Sequence, residues 1–140
     1  MNNRVVITGM GAVTPLGNTV DEFWDGLKAG KNGIASITKF DASETGITVA
    51  GELKDFDATK YMQRKISKRM DEFSRYGVAA AVQALEESGI DREKKDMNRF
   101  GVIVGSGIGG LNAMQDQIIK MNTKRFMSVF SRSMPLSSNA

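Results

Sequence analysis

Two short apolar runs, each ended by a glycine and followed by a helical pattern, constrain the fold of this chain more than any other feature. Residues 4–8 read Arg-Val-Val-Ile-Thr before Gly9, and residues 100–104 read Phe-Gly-Val-Ile-Val before Gly105. Uninterrupted runs of this length are typical of strands that are buried on both faces. A strand, a turn and a helix occurring twice predict an α/β fold with a mainly parallel sheet and flanking helices.

Three helices are predicted from capping signals and apolar periodicity. The first begins at a capping box formed by Thr19 and Glu22 and ends at Gly30. A second is predicted over residues 70–88, and a third over roughly 111–121. The side chains that we expect to point inward from the first helix are those of Phe23, Trp24 and Leu27.

The second predicted helix carries a stripe of small residues, and Gly89 follows it as a C-terminal cap. The stripe consists of Gly77, Ala79, Ala80, Ala81 and Ala84. Side chains of this size let another backbone approach closely, so the stripe predicts tight packing against a neighbouring element. Residues 31–58 mix polar residues, glycine and short apolar pieces, and we interpret them as loops around one or two short strands.

The residue types that are missing restrict the chemistry of these 140 residues. The chain contains no cysteine and no histidine, so it offers no disulfide, no thiolate nucleophile or metal ligand and no imidazole base. We therefore predict no catalytic residue and no metal site in it. The net charge of +3 is too small to indicate nucleic acid by itself. The N-terminus resembles neither a signal peptide nor a spanning helix, so a soluble cytoplasmic protein without membrane contact is expected.

A glycine-rich loop at residues 105–110 matches the G-x-G-x-x-G pattern of dinucleotide-binding folds literally. The fingerprint also needs an acidic residue about 20 positions further on, where this chain has Lys124 and Arg125. The alternative is that the glycines allow a tight turn or a close approach of the backbone to another surface. We favour this alternative, because an isolated match to the pattern is weak.

A cluster of basic residues lies between residues 61 and 75. Its members are Arg64, Lys65, Lys68, Arg69 and Arg75, and only Asp71 and Glu72 oppose them. In a helix this spacing places like charges four residues apart, at a cost of roughly 0.2–0.5 kcal/mol per pair. Such a cluster is either a surface for an acidic partner or a solvated helix start without a specific role. Nucleic acid is a weak alternative because no aromatic residues alternate with the charges.

Taken together, these pieces resemble the N-terminal part of the β-ketoacyl-[acyl-carrier-protein] synthases, most closely the elongating type II members of bacterial fatty acid synthesis. The order and spacing of the pieces match from the first residues to about position 125. The residues that carry the resemblance are 4–17, 23–24, 33–34, 39–41, 64–65, 69–71 and 105–110.

The resemblance implies the N-terminal portion of a thiolase-like fold, incomplete here, from a family of homodimers. It also implies a decarboxylating Claisen condensation of acyl and malonyl carrier-protein thioesters, performed by a cysteine and two histidines. Those residues lie beyond the region that matches, so the chain is expected to be inactive alone. No cofactor is expected on the chain itself, because the phosphopantetheine belongs to the acyl carrier protein.

The resemblance also assigns roles to individual residues. Lys65, Lys68 and Arg69 match the basic surface on which the acyl carrier protein docks in this family, and Lys124 and Arg125 match a second basic contact. The resemblance thus favours the acidic-partner interpretation of the cluster. Docking of this kind is electrostatic and should weaken with salt.

Within the glycine-rich loop, Ile108 matches the family residue that opens or closes the acyl-chain pocket at the dimer interface. In this interpretation Gly107 and Gly109 give the loop its bend, and no nucleotide is involved.

Residues 126–140 no longer follow the family pattern and contain five serines and no acidic residue. We expect a family segment over residues 1–125 and a divergent tail, disordered or produced by a frameshift or premature stop; a genuine divergent tail is the alternative. The function hypotheses are therefore the N-terminal portion of a condensing enzyme, a non-catalytic module that binds the carrier protein, and a dinucleotide-binding domain. An isolated first half of the fold is also expected to expose apolar surface and to self-associate.

Overall fold

The computed structural model describes residues 4–91, 93–94 and 96–123. Its helices and strands are α1 (Val20–Lys28), β1 (Ala35–Ser36), β2 (Val49–Ala50), α2 (Arg64–Ser67), α3 (Glu72–Glu87) and α4 (Leu111–Thr123), with short 3-10 turns at Ala58–Lys60 and Met97–Arg99. The chain divides into two units. The first unit holds Met1–Asp57 with Ala79–Arg99, and the second holds Ala58–Val78 with Phe100–Ala140.

Helix α1 begins with the predicted capping interaction. The Thr19 hydroxyl accepts a hydrogen bond from the backbone N–H of Glu22 at 3.2 Å. The Glu22 carboxylate accepts from the N–H of Asn18 at 2.7 Å, one residue earlier than a standard capping box. The helix ends before Gly30, whose φ of +62° is a left-handed conformation that glycine adopts without strain. The predicted helix, its Thr19 cap and its end before Gly30 are therefore confirmed, whereas the reciprocal bond from Glu22 goes to Asn18 in place of Thr19.

Helix α3 packs closely against the glycines of the N-terminal segment, as its small residues predict. A Cβ on Gly11 would overlap the carbonyl oxygen of Ala80 and would lie 2.7 Å from its carbonyl carbon. A Cβ on Gly9 would overlap the carbonyl oxygen of Ala84. Ala79 is fully buried. This segment can therefore pack on α3 only because residues 9 and 11 have no side-chain carbon.

The sheet differs from the prediction. The sheet among the described residues has two strands, β1 and β2, which pair antiparallel with Ala35 opposite Ala50. Residues 4–8 and 100–104 form no strand, and the side chain of Ile103 is 99% exposed. A strand needs a neighbour for its backbone N–H and C=O groups, and the apolar pattern of these two segments finds none in the described part of the chain. The described residues therefore form no parallel sheet, and the prediction of buried strands at residues 4–8 and 100–104 is wrong for this part of the chain.

The buried core of the described residues is small. The buried apolar side chains belong to Ala42, Ala58 and Ala79. Trp24 and Leu27 are 58% and 47% exposed, so the prediction that they point into a core is wrong for this chain. An amphipathic helix presents its apolar stripe whether or not another element covers it, which explains why periodicity located the stripe but not its burial. None of the described helices is both long and apolar enough to cross a membrane.

We expect the 140-residue chain to self-associate at micromolar concentration. Val5, Ile7, Val102 and Ile103 are each more than four-fifths exposed, and unpaired apolar segments of this kind promote association between chains. Light scattering coupled to size-exclusion chromatography should give a mass above 15.2 kDa that rises with concentration. A mass that stays at that of the monomer as the concentration is raised would contradict this prediction.

Candidate functional site

The predicted docking cluster, Lys65, Lys68 and Arg69, lies on α2 and the turn that follows it. The backbone N–H of Lys68 donates to the carbonyl of Arg64 at 3.1 Å, and that of Arg69 donates to Ile66 at 2.9 Å. These bonds extend the helical turn past Ser67, which is buried at 8% exposure. Ser67 thus lies on the buried side of the short helix, and the three basic side chains are all exposed.

The cluster carries positive charge that the described residues leave uncompensated. Two ion pairs among the described residues join Lys28 to Asp25 at 2.8 Å and Lys94 to Asp91 at 2.9 Å, and both lie outside the cluster. Within those residues no acidic side chain forms an ion pair with Lys65, Lys68 or Arg69. Exposed cations of one sign, close together and unpaired, create a positive potential that attracts acidic surfaces.

The glycine-rich loop belongs to the same unit as the cluster and leads directly into α4. Its backbone bends at Gly107 and Ile108, and a Cβ on Gly107 would meet open space. A Cβ on Gly109 would lie 2.7 Å from the ring of Phe73, and Gly110 has a φ of +76°. The backbone therefore bends at Gly107, whereas Gly109 provides a close approach and Gly110 the left-handed turn, so the predicted pair of bend glycines, Gly107 and Gly109, has two different local roles.

Ile108, the predicted gate residue, projects from this loop and is 73% exposed. It belongs to the same unit of the chain as Lys65, Lys68 and Arg69. Lys124 and Arg125, the predicted second basic contact, lie outside the described residues. The roles of all these residues stay predictions.

The contacts that Phe73 and Asp71 make with the loop are not predicted from the sequence. A Cβ on Gly110 would lie 2.8 Å from Oδ2 of Asp71, and Phe73 lies against Gly109. The available signal was the spacing of the glycines, which indicates close approach but does not name the surface approached.

A shallow cavity of about 340 Å³ lies beside the β1–β2 pair in the other unit. Glu52 lines it and accepts hydrogen bonds from the hydroxyl and the N–H of Thr38, at 2.6 and 3.1 Å. The bond from the Thr38 hydroxyl lowers the pKa of Glu52. The Glu52 carboxylate thus connects the segments that follow β1 and β2. In the described part of the chain no group of three or more acidic side chains is placed to hold a metal ion.

Comparison with known proteins identifies the family. The family model described as "Beta-ketoacyl synthase, N-terminal domain" matches residues 2–139, so the chain belongs to the β-ketoacyl synthase family. The 3-oxoacyl-[acyl-carrier-protein] synthase 2 of Synechocystis is 47% identical over 114 residues, which are 81% of this chain and 27% of that protein. The protein of the same name from Staphylococcus aureus is 41% identical over 81% of this chain and 28% of its own length.

Solved structures agree with this assignment. A type II PKS acyl-carrier protein in complex with its ketosynthase bound to the hexaketide gives a TM-score of 0.68 at 29% identity, over 96% of this chain and 35% of that chain. The ishigamide ketosynthase/chain length factor gives 0.58 at 33% identity, over 63% and 22%. The fold is therefore the N-terminal portion of a thiolase-like ketosynthase fold.

The extent of the matches bears on two earlier expectations. The chain spans about a quarter of the length of the curated relatives. The family-model match continues to residue 139, past the boundary that we expect at residue 125, and that boundary stays a prediction. The dinucleotide alternative loses its support, because no strand precedes the glycine-rich loop and the family is that of the ketosynthases.

Proposed function

We propose that the chain is the N-terminal portion of a 3-oxoacyl-[acyl-carrier-protein] synthase and that it presents the surface on which the acyl carrier protein docks. The observation that carries the proposal is the exposed and unpaired cluster of Lys65, Lys68 and Arg69. A compact set of cations suits an acidic partner, since complementary charge accelerates association and selects orientation. The relative solved as a complex of a ketosynthase with an acyl-carrier protein supports this choice of partner.

The proposed reaction is the elongating condensation of fatty acid synthesis, in which a malonyl thioester loses carbon dioxide and attacks an acyl thioester. These 140 residues contain no cysteine for the acyl group and no histidine for the decarboxylation. The chemical groups for both steps must therefore come from outside these residues, and we propose that the chain alone is inactive. Its own contribution is to receive the carrier protein and, through Ile108, to limit the acyl chain. Homodimer formation and a cytoplasmic location stay predictions.

Charge reversal tests the docking proposal. We expect the variant Lys65→Glu/Lys68→Glu to bind acyl carrier protein at least ~10-fold more weakly than the unchanged chain, because two attractive contacts become repulsive. Binding to the unchanged chain should also weaken as salt is raised from 50 to roughly 300 mM, since the screening length shortens. Biolayer interferometry with the immobilised 140-residue chain and acyl carrier protein in solution measures both effects.

A matched variant separates local charge from net charge. Lys31→Glu/Lys54→Glu changes the net charge by the same amount, at two exposed lysines of the other unit. This control should bind the carrier protein within about twofold of the unchanged chain. Equal loss of binding in both double variants, or unchanged binding in Lys65→Glu/Lys68→Glu, would show that the cluster is not the docking surface.

A further inference from the structure

The docking cluster ends just before the start of α3, where the glycine-rich loop makes its contacts. The cluster ends at Arg69, and α3 begins at Glu72, so a single short connection separates the proposed contact surface from the helix. The last two glycines of the loop lie against Asp71 and Phe73, in this connection and in the first turn of α3. All of these residues belong to one unit of the chain.

The contact between Gly109 and Phe73 fixes one point of the loop. A Cβ on Gly109 would lie 2.7 Å from both Cε2 and Cζ of the Phe73 ring, closer than carbon atoms can approach. The ring edge therefore touches the loop backbone itself, one residue after Ile108. Gly107, on the other side of Ile108, has open space where its Cβ would be. The backbone after Ile108 is therefore in contact with Phe73, whereas the backbone before Ile108 faces open space at Gly107.

The contact between Gly110 and Asp71 fixes a second point. Gly110 has a φ of +76°, and its carbonyl accepts the N–H of Met114 at 2.9 Å, which starts α4. The first turn of α4 contains no acidic residue. The Asp71 carboxylate, near Gly110, supplies negative charge close to the free N–H groups at this helix end.

We propose that Asp71 and Phe73 link the docking cluster to the gate, so that carrier-protein binding repositions Ile108. This inference rests on the proposed docking function and adds a regulatory step to it. In this scheme a partner bound at Lys68 and Arg69 displaces the connection to α3, and the loop moves with it because the Phe73 ring touches the backbone at Gly109. Phe73 is a positioning residue in this scheme and touches no substrate.

The contact itself is tested without the carrier protein, by a double-mutant cycle. Gly109→Ala should lower the melting temperature by about 3 °C or more, because the added methyl group collides with the Phe73 ring. The same change in a Phe73→Ala background should cost little, since the ring is gone. Gly107→Ala is the matched control and should leave the melting temperature within about 1 °C. Additive effects of Gly109→Ala and Phe73→Ala would overturn the contact.

The proposed link between carrier-protein binding and the position of Ile108 is tested with a fluorophore attached at residue 108. The chain has no cysteine, so Ile108→Cys introduces a unique attachment point for an environment-sensitive fluorophore. Addition of acyl carrier protein should shift the emission of the labelled chain, and Phe73→Ala should abolish the shift while the Kd stays within about twofold. A label at Ser36→Cys, in the other unit, should not respond. Phe73→Leu serves in place of Phe73→Ala if the smaller residue prevents folding.

Each outcome separates the link from the docking proposal. Binding of the carrier protein with no emission change, or with an equal change in the chain and in the Phe73 variant, overturns the link and leaves docking intact. Absence of binding to every labelled chain overturns the docking proposal, and the regulatory role falls with it. In that case the double-mutant cycle of Gly109→Ala and Phe73→Ala still decides whether Phe73 contacts the loop.

Discussion

Gly11→Ala is expected to lower the free energy of unfolding of this chain by roughly 3 kcal/mol or more. The new methyl group would overlap the backbone carbonyl of Ala80 in the middle of α3, and a helix backbone cannot move aside as a flexible side chain can. Relief therefore requires the N-terminal segment to withdraw from the helix. Urea unfolding followed by circular dichroism, at a concentration where the chain is monomeric, measures the loss.

Gly77→Ala is the matched control for this prediction, because it adds the same methyl group to α3 itself. A Cβ on Gly77 would meet nothing within 4 Å. Alanine also has the higher helix propensity, so Gly77→Ala should raise stability by about 0.5–1 kcal/mol. Equal stability of Gly11→Ala and the unchanged chain would mean that the segment carrying Gly11 does not rest on α3.

The helices were predictable because their signals are local. The Thr19 cap, the left-handed Gly89 after α3 and the small stripe of α3 each depend on residues a few positions apart. The small stripe also predicted a close neighbour correctly, although its identity needed the structure. Side-chain size and spacing state how near a neighbour comes, and they do not state which segment it is.

The strands were not predictable in the same way. Val5 and Ile103 belong to apolar runs that match buried strands, but burial and pairing depend on partners distant in sequence. The described residues supply none, so the same sequence pattern is exposed. The antiparallel pair that does form, Ala35 with Ala50, lies in a region where the sequence indicated only one or two short strands among loops.

The candidate site likewise has a part that could be predicted from the sequence and a part that could not. The sequence located the cluster around Lys65 and the loop around Ile108 as separate motifs, by resemblance. It did not indicate that Phe73 touches the loop, because a single aromatic residue at the start of a helix has no distinguishing pattern. The segments in contact lie more than thirty residues apart, and their proximity follows from the fold and not from a local pattern.

A second large effect is expected from Gln83, which joins α3 to the turn before α1. Its Oε1 accepts the N–H of Ala12 at 3.2 Å, and its Nε2 donates to the carbonyl of Asn18 at 2.8 Å. Both bonds are partly buried, and Asn18 in turn donates from Nδ2 to the carbonyl of Lys54 at 2.8 Å. One amide therefore holds three stretches of the first unit together.

Gln83→Met keeps the length and the helix propensity of the side chain and removes both hydrogen bonds. We expect a loss of about 2 kcal/mol in the free energy of unfolding, because the Ala12 N–H and the Asn18 carbonyl lose their partner in a partly buried position. Amide hydrogen exchange should show the N–H of Ala12 exchanging faster in the variant, which ties the loss to this bond. Urea unfolding of the same sample gives the total.

Gln117→Met provides the contrast, since the same substitution then removes an unsatisfied group. Oε1 of Gln117 on α4 is buried and has no hydrogen-bond partner in the part of the chain that the structure describes. Its removal should leave stability unchanged or raise it by up to about 1 kcal/mol. If Gln117→Met cost as much as Gln83→Met, the loss would reflect glutamine in general and not the two bonds of Gln83. A clear difference between the two variants would assign the stabilisation to the contact between α3 and the turn.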